Sequence, residues 1–320
     1  MKIFVNRKIR RTPWGGGIHF LSSFVDYVTK LGHEVTNNYD NDVDLILMMD
    51  PRPDDGFGDV NQIINFRSHL KSLGKNVKVF HRINDTDIAR NTNFLVNMNL
   101  TANFYVADYT IFISEWLKKH YEDRGFNKES IVIRNGCNQD WFYPKNNYES
   151  SLKKGPIKVV THHWSDNFNK GFDAYISLDK QLENRNDIEF TYIGRYFKDY
   201  SPIRTKIIAP IYGVALGDEL RKHDVYLTAA RWEACGMHHI EAASCGLPII
   251  YHTDGGGINE LCKNYGVEFS EKNADKLCDI ISDVFFNKKL FIEKIDYSSL
   301  NSDNVNDQYV KFIEEKIKIV

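Results

Sequence analysis

Residues 231–260 read RWEACGMHHIEAASCGLPIIYHTDGGGINE, and the order of residue types in this stretch decides the fold class. Glu233 stands in a loop that turns through Cys235 and Gly236. Met237 to Ser244 has the pattern of a short helix and carries Glu241. Cys245-Gly246 ends that helix, because glycine enters the left-handed region without a Cβ penalty. Leu247 to Tyr251 is an apolar run that suits a buried strand, and Asp254-Gly255-Gly256-Gly257 forms the loop at its C-terminal end.

This order has a chemical consequence. A glycine at a helix start lets an anion approach the free N–H groups there, and the helix dipole favours negative charge. Glu233 before the helix and Glu241 inside it would flank that anion. Carboxylates repel phosphate, so they suit hydroxyl groups on either side of it. Sugar hydroxyls, a diphosphate and ribose hydroxyls, in that order, make up a nucleotide-sugar. Two glutamates eight residues apart also fit an ordinary βα unit; the glycine loop and the following strand favour the ligand.

Glu233, Gly236, Glu241, Ala242, Gly246, Pro248, Gly255-Gly256 and Glu260 together resemble the signature of retaining glycosyltransferases, family 4 (glycosyl transferases group 1). The chain departs from that pattern at Cys235 and at Met237-His238-His239. The resemblance implies an α/β protein of the GT-B fold, with two Rossmann-like doubly wound domains facing a central cleft. It implies transfer of a sugar to an acceptor hydroxyl with retention of configuration, and neither a cofactor nor a metal. Glu233 would hold the donor sugar and Glu241 the ribose, with Cys235, Gly236 and Met237 lining the donor loop.

Composition sets the outer bounds. At 320 residues the chain can bury one or two sizeable cores. A formal net charge of −2 makes no global case for nucleic acid as a partner. Its five cysteines are odd in number and lack Cys-x-x-Cys spacing, so neither a disulfide framework nor zinc is indicated and a reducing cytosol is expected. The opening residues lack a signal-peptide core, and no apolar run reaches the ~18 residues of a membrane span.

Lys2 to Val5 reads as a first strand and Ile18 to Leu31 as a helix, which places Gly15, Gly16 and Gly17 in a loop where a donor can meet backbone. It is not a nicotinamide fingerprint, because Phe20 stands where the third glycine would fall. Arg7, Lys8, Arg10 and Arg11 nearby read as a solvated loop, with an anionic acceptor or a peripheral membrane contact as the alternative. Val77 to Phe80 reads as a strand delivering His81, Asn84, Asp85 and Asp87 at its ligand-facing edge. There His81 matches a family histidine near the transferred sugar, and Asn84, Asp85 and Asp87 suit an acceptor.

Asn135-Gly136 resembles the end of the family's first domain, and the polar stretch 146–155 reads as a linker. The expected domains are 1–150, 151–303 and a closing helix, 304–320, that crosses back to the first. Lys170-Gly171 matches the family's diphosphate-neutralising lysine, whereas His162, His163 and Trp164 occupy the region of its arginine. Arg195 is the candidate second cation. The adjacent histidines have no third metal ligand at suitable spacing.

The combined expectation is a cytoplasmic enzyme of glycan or polysaccharide biosynthesis. Its partners would be a nucleoside-diphosphate-sugar and a glycan, lipid-linked or other hydroxyl acceptor. The alternatives are a nucleotide-sugar epimerase of the same fold and a non-catalytic nucleotide-sugar or glycan binder.

Overall fold

The computed structural model describes residues 1–10, 15–144 and 155–318. Arg11 and all but the last residue of the expected linker lie outside the described residues. The chain divides into two compact units: residues 1–10, 16–135 and 302–318 form the first, and Gly136–Asn301 the second. The second unit thus begins ahead of the polar stretch 146–155.

The first unit runs β1 (Lys2–Val5), α1 (Gly16–Lys30), β2 (Glu34–Thr36), β3 (Leu45–Met48), α2 (Val60–Ser72), β4 (Lys78–Ile83), α3 (Asp87–Arg90), α4 (Leu95–Tyr105), β5 (Tyr109–Phe112), α5 (Glu115–Glu122) and β6 (Ser130–Val132). All its strand pairs are parallel, in the order β2-β1-β3-β4-β5-β6. Every residue of β3 is buried, as a central parallel strand covered on both faces requires. Ser114 caps α5 by accepting from Leu117 N–H at 3.1 Å, the role its position predicts.

The second unit runs β7 (Ile157–His163), α6 (Phe172–Gln181), β8 (Ile188–Gly194), β9 (Lys206–Ile208), α7 (Gly213–Leu220), β10 (Val225–Thr228), α8 (Met237–Ser244), β11 (Ile249–His252), α9 (Ile258–Tyr265), β12 (Gly266–Phe269), α10 (Leu277–Phe286), α11 (Lys288–Ile292) and α12 (Tyr297–Leu300). Its sheet is also parallel throughout, ordered β12-β11-β10-β7-β8-β9. Counting strands within the unit, this is the doubly wound order 3-2-1-4-5-6, whose direction of progression reverses between β7 and β10. The closing helix α13 (Ser302–Lys318) belongs to the first unit. There Tyr309 meets Phe20 of α1 with ring centroids 4.8 Å apart.

Helix α1 buries Phe20, Leu21, Phe24 and Val28, the spacing of one helical stripe. It starts at Gly16, so Gly16 and Gly17 form its first turn and only Gly15 precedes it, a correction to the expected three-glycine loop. Glycine's helix penalty is conformational entropy of only about 0.5–1 kcal/mol relative to alanine, which the buried stripe of the same helix outweighs.

Candidate functional site

In a doubly wound sheet, ligands bind outside the carboxyl ends of the strands where the order reverses. In the second unit those ends are His162-His163 of β7 and Thr228 of β10. The loop after β7 carries Lys170, and the loop after β10 carries Glu233. The structure brings these two together: Lys170 Nζ donates to Glu233 Oε1, with both side chains about four-fifths buried (20% and 17% exposed).

Backbone contacts hold this pair. Arg231 N–H donates to Asn169 O at 2.9 Å, which ties one loop to the other. Glu233 N–H donates to Gly255 O at 3.2 Å and Gly257 N–H to Glu233 O at 2.7 Å, which fixes the glutamate against the glycine loop. Trp232, just before Glu233, adopts φ 56°, a left-handed conformation that costs a bulky residue energy and is held by its N–H bond to Asp254 O at 2.7 Å.

Two glycines are dictated by this geometry. Gly171 has φ 91°, and a Cβ there would lie 2.2 Å from Ala229 Cβ, so the lysine loop reaches β10 only with glycine beside Lys170. Gly171→Ala should therefore lower stability by roughly 2–5 kcal/mol, from left-handed strain plus overpacking. Gly15→Ala, with open space around the new methyl group, should leave the urea midpoint unchanged and serves as the control. The second is Gly236, the N-cap of α8, where a Cβ would lie 2.5 Å from the His238 ring. Helix α8 has neither a side-chain cap nor an acid in its first turn, so its first N–H groups are not spent on side chains of the cap.

Glu241 lies in α8, 5% exposed, and its Oε2 accepts from His162 Nε2 at 2.8 Å. Cys235 is buried and Met237 half-buried at the helix start. Arg195 is exposed at the exit of β8; its guanidinium covers the Trp164 ring at 4.8 Å, and its N–H donates to His163 O at 3.2 Å.

In the first unit the expected candidates divide. Gly17 and Asn84 come together: a Cβ on Gly17 would sit 3.1 Å from Asn84 Nδ2. His81 requires a correction. It lies inside β4 rather than at its exit, is fully buried, and has its Nδ1 2.7 Å from Asn103 Nδ2 of α4. Thr110 Oγ1 donates to Asn103 Oδ1, which turns the Asn103 amide nitrogen toward His81. Burial pushes the His81 pKa down to about 4, so it is a neutral core histidine.

Asp87 is likewise committed locally. Its carboxylate accepts from Thr92 Oγ1 at 2.6 Å and from the N–H groups of Phe94, Leu95 and Val96 at 2.8–2.9 Å, so it anchors the start of α4 rather than an acceptor. Asp85 accepts from Arg90 Nε at 2.5 Å and from Thr86 N–H at 3.0 Å. The basic residues after β1 are also paired: Arg7 with Asp50 at 3.0 Å, Lys8 with Asp55 at 3.4 Å, and Arg10 with Asp54 at 2.8 Å.

Sequence reading missed two arrangements. One is a cluster of imidazoles that meet edge to face under the site: the His163 and His238 ring centroids are 4.8 Å apart, those of His238 and His239 5.5 Å. Burial holds the pKa values of His163 and His238 well below the ordinary range, and pushes that of His239 down to about 3. The paired His-His dipeptides were its visible signal. The other is the trio His252, Asp254 and Glu271, among the described residues the one group whose metal-ligating atoms lie within 4.8 Å of one another. His252 Nδ1 accepts from Asp254 N–H at 3.0 Å, so Nε2 carries the proton and sits 3.0 Å from Glu271 Oε1. Glu271 is also paired with Arg231 at 3.0 Å, and Arg231 with Asp173 at 2.6 Å. This is an ion-pair network bracing the loop of Glu233, with a histidine whose lone pair is already taken.

Residues 167–294 match the family Glycosyl transferases group 1. The phosphatidylinositol N-acetylglucosaminyltransferase GPI3 subunit of Saccharomyces cerevisiae (strain YJM789) is 26% identical over 238 residues, 70% of this chain and 51% of that protein. The chain thus spans about half the length of the curated relatives it matches. Among solved structures, sucrose-phosphate synthase from Thermosynechococcus elongatus superposes with a TM-score of 0.72 at 12% identity, covering 100% of both chains. Anabaena Alr3699/HepE in complex with UDP-glucose gives 0.72 at 12% identity, covering 98% of this chain and 99% of the other. The two parallel α/β sheets are those of the GT-B fold.

Proposed function

We propose, on the premise that the chain carries a glycosyl transferases group 1 domain, that it moves a sugar from a nucleoside-diphosphate-sugar to an acceptor hydroxyl with retention of configuration. The observation that carries this reading is the Lys170–Glu233 contact at the reversal point of the second sheet, beside the uncapped start of α8. Lys170 and the α8 N–H groups supply positive charge where a leaving diphosphate gathers negative charge. Glu233 accepts from donor-sugar hydroxyls and Glu241 from the ribose. Attack comes from the face the diphosphate leaves, and the departing phosphate takes the acceptor's proton, so neither a protein nucleophile nor a metal is required. Arg195, exposed at the neighbouring strand end, is the proposed second cation.

The UDP-glucose complex of one structural neighbour and the name of the curated relative put UDP-sugars first among donors and a lipid-linked acceptor first among acceptors. The protein would then work on the cytoplasmic side, at a membrane surface. A panel of UDP-glucose, UDP-N-acetylglucosamine, GDP-mannose and ADP-glucose tests the reading. We expect slow release of free nucleotide from one of them, and an α-linked product from an α-linked donor by proton NMR. Thermal stabilisation by a donor without nucleotide release would make the protein a binder; release of a sugar with inverted configuration would reject retention.

A further inference from the structure

Glu241 does not stand alone. His162 Nε2 lies 2.8 Å from its Oε2, and both side chains are at most one-tenth exposed. An ionised carboxylate only accepts hydrogen bonds, so the imidazole must donate through Nε2. On the other side of the ring, Tyr226 Oη lies 3.2 Å from His162 Nδ1 and also accepts the His162 backbone N–H at 3.2 Å. Three elements thus form one line, Tyr226 of β10, His162 of β7 and Glu241 of α8, across the point where the strand order reverses. Among the described residues Glu241 Oε1 takes part in no hydrogen bond.

We infer that His162 is a positioning residue for nucleoside recognition. It engages Oε2, fixes the carboxylate plane, and leaves Oε1 to accept one ribose hydroxyl. The inference rests on reading Glu241 as the ribose-binding residue. A carboxylate with both oxygens free of protein donors grips two vicinal hydroxyls alike; a donor on one oxygen takes one of its lone pairs and directs the stronger hydroxyl contact to the other. The site therefore distinguishes the 2′- from the 3′-hydroxyl, and it does so through His162. Among the side chains facing Glu241, the imidazole is the one that fixes which oxygen is free.

The test uses the full-length protein and calorimetry with UDP, GDP and ADP, followed by the 2′-deoxy and 3′-deoxy forms of whichever binds most tightly. A hydrogen bond to a charged group is lost with one deoxy analogue, which should bind about 10- to 100-fold more weakly than the parent, while the other stays close to it. His162→Gln keeps a donor at similar reach and should keep this discrimination. His162→Phe should bind the parent about tenfold more weakly and treat the two analogues alike. In nucleotide release the loss should appear in the donor KM with kcat held, which a general loss of structure would not produce. Equal weakening by both analogues in the unsubstituted protein overturns the proposal, as does equal loss in His162→Gln and His162→Phe. Glu241→Gln separates this from the underlying reading. If Glu241→Gln weakens nucleotide binding and His162→Phe does not, only the role of His162 falls. If Glu241→Gln binds like the unsubstituted protein, or none of the three diphosphates binds, the ribose reading falls and this inference falls with it.

Discussion

Lys170→Ala should slow nucleotide release from the active donor by about 10²- to 10³-fold, the loss seen when one preorganised charge-stabilising group is removed. Negative charge on the leaving diphosphate is greater in the transition state than in the bound donor. The loss should therefore fall mainly on kcat, with a smaller rise in KM. Lys170→Arg keeps the charge but replaces a compact ammonium with a planar guanidinium, so it should recover only part of the rate. Because Lys170 donates to Glu233, the two substitutions are coupled. Lys170→Ala combined with Glu233→Gln should cost less than the sum of the single losses. A thermal melt of each variant separates lost chemistry from lost fold. Release by Lys170→Ala at the unsubstituted rate, with the fold intact, would remove the lysine from the chemistry.

Local residue types wrote much of the architecture. Buried runs such as LILM at 45–48 and IIYH at 249–252 are strands because apolar residues without alternation suit a parallel sheet covered on both sides. The α8 segment was equally legible, since glycine ahead of it and glycine behind it leave little freedom over where it starts and stops. The misreadings of His81 and Asp87 share one cause, a hydrogen-bond partner in another element. His81 looks like a polar residue leaving an apolar strand, but Asn103, 22 residues later, accommodates it inside. Asp87 looks like an acceptor-site carboxylate until its bonds to 94–96 give it the start of α4. Periodicity cannot report the His162–Glu241 pair either, because its members stand 79 residues apart and meet only when β7 and α8 share one sheet edge. Arg82 is the same lesson in a charged residue: fully buried, its Nη2 donates to Asn135 Oδ1 at 2.7 Å, its Nε to Tyr309 Oη at 3.0 Å, and its guanidinium covers the Phe20 ring at 4.0 Å.

The buried histidines that packing created should make the protein lose stability on acidification already above the carboxylate range. His81, His163, His238 and His239 all have folded-state pKa values below the ordinary 6.5, chiefly because burial opposes the charged form. Below pH 6.5 the unfolded chain takes up protons that the folded chain refuses, so stability must fall as pH falls. For His81 that decline runs from pH 6.5 to about 4, and for His239 to about 3. Each contributes about 1.4 kcal/mol per pH unit while only the unfolded state is protonated. Three of the four lie in the second unit, so hydrogen exchange followed at α8 should lose protection faster than exchange at α4 between pH 6.5 and 4.5. In that interval ionised carboxylates contribute little to the slope, because their unfolded pKa values lie near 4. His239 gives the sharpest check, since both its ring nitrogens are buried with no hydrogen-bond partner among the described residues. His239→Leu should keep or raise stability at pH 7 and should reduce the pH slope of the second unit by one proton. An unchanged slope in that variant would mean that His239 is protonated in the folded protein.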